Sequence, residues 1–237
     1  MTVNEYNQAV GEHMPEWETK GLPERVTIQG KSCTLVPLDL DVHGQELFDS
    51  YTLIGDDRLW TYLAMGPFKD VGHFKQVFSD LQADTTDVHF AIVDIKTNTA
   101  VGQFALKRND PHNGVSEEGF VVFSPLLQRT LMATEAHYLL AKYVFDTLGY
   151  RRYEWQCVSL NKPSRQSAER LGFKYEGTFR NGAVVKGRNK DTVWLSMTDD
   201  DWKIGSLAFQ KWLDSANFDE EGRQKGRLQD IRDSITV

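Results

Sequence analysis

Cysteine is nearly missing from this chain of 237 residues, which holds only Cys33 and Cys157. Two cysteines without metal-type spacing cannot staple a fold, and they point to a reduced, cytoplasmic setting. No apolar run approaches the roughly 20 residues of a membrane helix. The opening "MTVNEYNQAVGEHMPEWETK" is too polar for a secretory signal, so no membrane partner is expected. Neither G-x-x-x-x-G-K-[ST] nor G-x-G-x-x-G occurs, which removes the common nucleotide-hydrolysing and dinucleotide-binding loops. Positive charge is in the minority, with 27 basic against 34 acidic residues and a formal net charge of −7. That balance argues against generic nucleic-acid binding. His43, His73 and His89 are too scattered to hold a metal, and none is expected. Internal repeats and low-complexity tracts are also absent.

What remains is a chain that is 40% hydrophobic and 11% aromatic, enough to bury a proper core. Residues 1–24 carry no sustained apolar period and read as an arm that packs on something else or stays mobile. "RVTIQGKSCTLVPL" predicts two short strands around Gly30, and "DVHGQELFDSYTLI" a helix. After the loop "GDDRLWTYLAMGPF", "KDVGHFKQVFSDLQ" has a helical period. "VHFAIVDI" and "AVGQFALKR" read as a hairpin, and "EEGFVVF" as the next strand. A helix over 131–148 puts Ala136, Leu140, Val144 and Leu148 on one stripe, with Gly149 as its left-handed stop.

Beyond it, "RRYEWQCVSL" is a strand and "NKPSRQSAERLGF" a short helix, with Asn161 at the cap and Gly172 past the end. "KYEGTFR" and "DTVWLSMTD" read as antiparallel strands around "NGAVVKGRNK", a basic turn. An amphipathic helix near 206–214 and a charged tail follow. The order predicts a mixed α/β sheet covered by helices.

One stretch asks for more than packing. "SPLLQRTLMATEAHYLLAKY" leads from a strand to a helix through Gln128, Arg129 and Thr130. A helix start offers unpaired N–H groups and the positive end of its dipole, so an anion can bind there. The competing reading is a Thr130 cap with Gln128 and Arg129 solvated.

"EEGFVVFSPLLQRTLMATEA" and "LNKPSRQSAERLGFKYEGTFR", in this order, resemble the GNAT superfamily of acetyl-CoA-dependent N-acetyltransferases, over roughly 30–203. The nearest branch is that of the ribosomal-protein N-acetyltransferase-like enzymes. The resemblance implies a mixed, mostly antiparallel sheet whose central parallel strands splay apart, flanked by helices. It implies acetyl-CoA as cosubstrate and no metal. The family's phosphate loop would here run through Gln128, Arg129, Thr130, Leu131, Met132, Ala133 and Thr134. Leu131 stands at a glycine position of that loop, and Arg129 where close relatives often carry glycine. The pantetheine arm would lie along Val121, Val122 and Phe123, opposite 153–158, with Asn161 and Ser164 near the acetyl end. The plain alternatives are a helix cap for Asn161 and a solvated first turn for Ser164.

Acetyl transfer needs a neutral amine, a proton acceptor and a donor for the oxyanion. Strand alternation sets Glu117 and Glu118 on opposite faces, so at most one faces the acceptor. The family's E-x-G pattern selects Glu117 as base, a role that burial would support by raising its pKa. A structural hydrogen bond is the other reading for Glu117. Where many relatives carry a tyrosine acid this chain has Ala168, leaving Ser164 or water. Cys157 reads as a small core residue, so transfer is direct.

Asp39, Asp41, Glu46, Asp49, Asp56 and Asp57, with Trp60 and Tyr62, lie in the region that forms the family's acceptor wall. They suit a cationic primary amine, such as a protein N-terminus or a small amine, or else form a solvated helix face. The division expected is an arm (1–24), an acetyltransferase domain (25–203) and a helical extension (204–237), and a homodimer is allowed. The second function class is a non-catalytic CoA-sensing or partner-binding module on the same fold.

Overall fold

The computed structural model describes residues 2–83 and 86–236. A small antiparallel hairpin, β1 (Thr2–Val3) with β2 (Ala9–Val10), stands apart from the main sheet. That sheet has eight strands: β3 (Ile28–Gln29), β4 (Cys33–Pro37), β5 (Val88–Asp94), β6 (Thr99–Asp110), β7 (Val115–Phe123), β8 (Arg152–Val158), β9 (Lys174–Val185) and β10 (Arg188–Thr198). Their spatial order is β3-β4-β5-β6-β7-β8-β10-β9, and β7 with β8 is the parallel pair in an otherwise antiparallel sheet. The period-two pattern of β5 and β6 gives each sheet face its own core. Phe90, Ile92, Phe104 and Leu106 bury on one face, while Ala91 and Ala100 bury on the other.

Helices cover both faces. α1 (Leu40–Thr52) starts where Asp39 accepts from the Asp41 and Val42 N–H groups, and α2 (Val71–Gln82) where Asp70 accepts from His73 N–H. Their Leu47, Tyr51, Phe74 and Phe78 pack with Trp60 against Ala91, Ala100 and Val122. The opposite face carries α3 (Leu131–Lys142), α4 (Lys162–Leu171) and α5 (Asp199–Trp212), with α6 (Leu228–Asp233) beside them. α3 is the crossover that parallel strands require.

The centre of the sheet opens. β7 and β8 pair from Val115↔Arg152 to Glu118↔Trp155 and no further. Beyond that point β8 stays with β10, through Gln156↔Trp194 and Val158↔Thr192. β7 instead follows β6 through a register shift between Gln103 and Ala105, where Phe120 takes φ 50°. This bulge sets Gly119 and Phe120 together and turns the strand away from β8. The splayed parallel pair is therefore present.

Three boundaries differ from the sequence reading. The helix expected over 131–148 is α from Leu131 to Lys142 and then one π turn, Tyr143–Thr147, before Gly149 at φ 66° ends it. The helix expected near 206–214 starts at Asp199. Thr198 and Asp201 form a capping box, and the acidic run Asp199–Asp201 suits the positive end of the helix dipole. The basic turn shrinks to Lys186 and Gly187 (φ 50° and 70°), the left-handed pair of a two-residue hairpin, and β9 and β10 lengthen up to it.

The arm packs on its own chain. Trp17 donates its indole N–H to the His112 carbonyl at 2.9 Å, and Tyr150 and Tyr143 hold the backbone at Gly21 and Glu24. A Cβ on Gly114, which sits at φ 61°, would lie 2.5 Å from the Trp17 ring.

Candidate active site

Alternation along β7 sends Glu117 and Glu118 to opposite faces. Glu118 points to the α3 side, where its carboxylate meets His137 Nδ1 at 2.5 Å and accepts from the Tyr153 hydroxyl at 2.9 Å. Glu117 points to the α1–α2 side, beside the place where the strands part. Gln156 Nε2 of β8 donates to it at 2.7 Å, and Arg108 Nε lies 3.3 Å away. Its side chain is 7% exposed. Burial pushes its pKa up to about 7, against the pull of Lys107, Arg108 and Lys190. A buried carboxylate of that basicity can take a proton near neutral pH.

The floor next to Glu117 is the bulge. A Cβ on Gly119 would lie 2.3 Å from Lys107 Cδ and 3.3 Å from Glu117 Oε1, so only glycine leaves this space open. Phe120 stacks on His89 at 5.3 Å, and Lys107 Nζ sits 4.7 Å from its ring centre. On the far side of the gap, Arg108 lies over the Trp194 ring at 5.0 Å. Lys107, Arg108, Gln156, Lys190 and Trp194 come from β6, β8 and β10. Apart from Lys190, at the end of the basic turn, nothing in their local sequence marks them, because only strand register brings them to Glu117.

Past the bulge the edge of β7 toward β8 has no strand beside it. Along this stretch the Val122 carbonyl accepts from the Tyr51 hydroxyl at 3.2 Å, and the Phe123 carbonyl from Gln128 Nε2 at 2.7 Å. The Gln128 side chain is thus folded back on the strand. Ser124 then receives the Leu127 and Gln128 N–H groups, Arg129 takes φ 63°, and Thr130 caps α3 by accepting from Ala133 N–H at 3.1 Å.

The cap uses one of the orphan N–H groups, and the Leu131 and Met132 N–H groups have no partner that the helix can supply. Both of these side chains pack against the core. Thr134 is buried and accepts from Arg170 Nη1 at 3.1 Å. Arg170, unmarked in the sequence, brings a cation from α4 to the first turns of α3.

Asn161 caps α4, accepting from Ser164 N–H at 3.2 Å. The Ser164 hydroxyl accepts from Trp155 Nε1 at 3.0 Å. Ala168 is fully buried. Cys157 is buried, and burial raises its thiol pKa, so it is a poor nucleophile.

The acids of the early helices do not gather into one mouth. Asp39 and Asp56 are caps, Asp56 also pairs with Arg58 at 2.6 Å, and Glu46 accepts from Ala100 N–H at 2.8 Å. Asp56 and Asp57 do border a cavity of about 280 Å³ lined by Phe48, Tyr51, Trp60 and Phe68. Above it, Lys186 at the hairpin tip donates to the Trp60 and Met65 carbonyls at 2.9 and 3.0 Å. Among the described residues no cluster of metal-ligating side chains occurs, and no helix is long and apolar enough to cross a membrane.

Comparison with known proteins meets this geometry. The profile of the acetyltransferase (GNAT) domain matches residues 34–174. A crystal structure of a GCN5-related N-acetyltransferase from Brucella melitensis is 41% identical and superposes with a TM-score of 0.90, covering 93% of this chain and all of that one. A GNAT-family structure from Chromobacterium violaceum is 37% identical, with a TM-score of 0.78 over 83% of this chain and 98% of that one. Among curated sequences, the uncharacterized N-acetyltransferase p20 of Bacillus licheniformis is 28% identical over 69% of this chain and 95% of its own. A Bacillus subtilis relative, 22% identical over 76% of this chain and 94% of its own, is provisionally designated a ribosomal N-acetyltransferase.

Proposed function

From the premise that this chain belongs to the GNAT acetyltransferase family and is an acyltransferase, we propose that it moves an acetyl group from acetyl-CoA directly to a primary amine, with Glu117 as base. The observation that carries this reading is the gap between β7 and β8. It opens beside a carboxyl of pKa about 7 and runs toward a helix start with unpaired N–H groups. The phosphates of acetyl-CoA fit the outward N–H groups of Leu131 and Met132, with Arg129 adding a cation. Val121, Val122 and Phe123 offer the unpaired strand edge to the pantetheine arm.

In this reading the amine nitrogen attacks the thioester carbon and gives its proton to Glu117. The oxyanion is held by backbone N–H at the bulge, and the carbon–sulfur bond then breaks. Ser164 and Asn161 line the thiolate end, where water supplies the proton. The acceptor is a protein N-terminus or a small amine. An α-amino group, with a pKa of about 7.7–8.0, is the better match to a base of this strength. Residues 25–203 form the catalytic domain, with arm and extension as supports, and two buried free cysteines suit a reducing compartment.

The test is calorimetry and thermal melting with acetyl-CoA, followed by thiol release over an amine panel. Acetyl-CoA at a hundredfold its dissociation constant stabilises by about 2.7 kcal/mol. Absence of binding overturns the reading, and binding without turnover on any amine favours the CoA-sensing module.

A further inference from the structure

The surroundings of Glu117 are cationic. Lys107, Arg108 and Lys190 are its electrostatic neighbours, and none of the three meets any other carboxylate in a salt bridge among the described residues. The other acids of this face are engaged. Glu154 and Glu176 share Arg152, at 2.7 and 2.6 Å. Asp191 accepts from Asn181 N–H and Asn189 Nδ2, and Asp87 accepts from Arg108's backbone N–H at 3.3 Å.

Arg108 is also held in place. Its backbone takes φ 51°, its guanidinium lies over the Trp194 ring at 5.0 Å, and only Nε approaches Glu117, at 3.3 Å. Both terminal nitrogens remain without a partner among the described residues, and the side chain is 55% exposed. A guanidinium fixed through its flat face, with its fork free, is shaped for a carboxylate or phosphate.

We propose that the acceptor is an amine carrying an anionic group, carboxylate or phosphate, within a few bonds of its nitrogen, and that Arg108, with Lys107 and Lys190, binds that group while the amine meets Glu117. The inference rests on the acetyl-transfer reading above and narrows its acceptor. It departs from the cationic acceptor that the acidic early helices suggest, since Asp39, Asp56 and Glu46 of that set accept from backbone N–H groups. The same cations repel an ammonium beside Glu117 and so favour the neutral, reactive form of the amine. The acceptor's anion then supplies the counter-charge for Lys107 and Arg108.

Matched acceptors test this at equal free-amine concentration: glycine against glycinamide for carboxylate, and O-phosphoethanolamine against ethanolamine for phosphate. Two readouts are taken, kcat/KM by thiol release and acceptor binding to the CoA-loaded protein by calorimetry. At least one anionic member should exceed its neutral counterpart by tenfold or more, and the winning pair identifies the anion. Arg108→Ala should cut that preference to below threefold while acetyl-CoA affinity stays the same. Neutral amines equalling or exceeding the anionic ones overturns the inference. So does an Arg108→Ala loss shared equally by all acceptors, or no acceptor binding at all to the CoA-loaded protein. Failure of acetyl-CoA itself to bind overturns the acetyl-transfer reading and is scored separately.

Discussion

Glu117 and Glu118 are chemically the same residue one peptide apart, yet they inhabit different regions of the molecule. On the α3 face Glu118 is enclosed by His137 and Tyr153, so three elements (β7, α3 and β8) are tied at the last paired register before the strands part. On the other face Glu117 is also buried, but its partners are one amide and the edge of an arginine. Burial without full compensation raises its pKa to about 7. Satisfied carboxylates hold structure, whereas an under-satisfied one at a strand mouth is available for proton transfer.

The largest effect expected from this contrast is on turnover. Glu117→Gln should keep acetyl-CoA affinity and lower kcat by roughly 10²–10⁴ at neutral pH. The wild-type rate should fall as pH drops through about 7 and Glu117 becomes protonated. The deficit of the variant should shrink as pH rises, because more of the amine arrives already neutral. Glu118→Gln, run in parallel, should change kcat only a few-fold; if it carries the large loss, the two faces have been assigned the wrong way round.

Next in size is stability. Glu118→Ala strips a buried acceptor from His137 Nδ1 and the Tyr153 hydroxyl, and should cost about 3–5 kcal/mol in urea unfolding. A loss below about 1 kcal/mol would show that the network is not a tie.

The smallest effect has the opposite sign. An unfolded glutamate titrates near about 4.3, whereas folded Glu117 does so at about 7. The folded state therefore binds this proton more tightly, and the stabilisation present at low pH is lost as pH rises through the folded value. Glu117→Gln escapes that loss, so the variant should gain about 1–3 kcal/mol over wild type above pH 7, declining toward pH 4.5. Equal stability at both ends would mean that Glu117 is not under-satisfied.

Much of the scaffold was legible because local chemistry dictates it. Asn161 before Lys162-Pro163, Gly172 after "RL" and Thr130 before an apolar run are caps recognisable in a few residues, and each is a cap in the fold. Among the acids of 39–57, Asp39 and Asp56 stand at helix starts and receive backbone N–H groups, a use that their charge alone does not reveal. α5 starts at Asp199, well before the amphipathic period near 206–214, because the triple aspartate suits the positive end of the helix dipole.

By itself the sequence determined the order of strands and helices between the arm and the charged tail, the opposite facing of Glu117 and Glu118, and the strand-to-helix loop at Gln128–Arg129–Thr130. All of these follow from periodicity and capping within about a dozen residues. Only the tertiary structure decided the company Glu117 keeps. Lys107, Arg108, Gln156, Lys190 and Trp194 arrive from three strands whose register is set by burial across the whole sheet. The pKa of a carboxyl depends on its depth and on charges distant in sequence. The same glutamate could have been an ordinary surface acid, and the packed sheet raised its pKa to about 7.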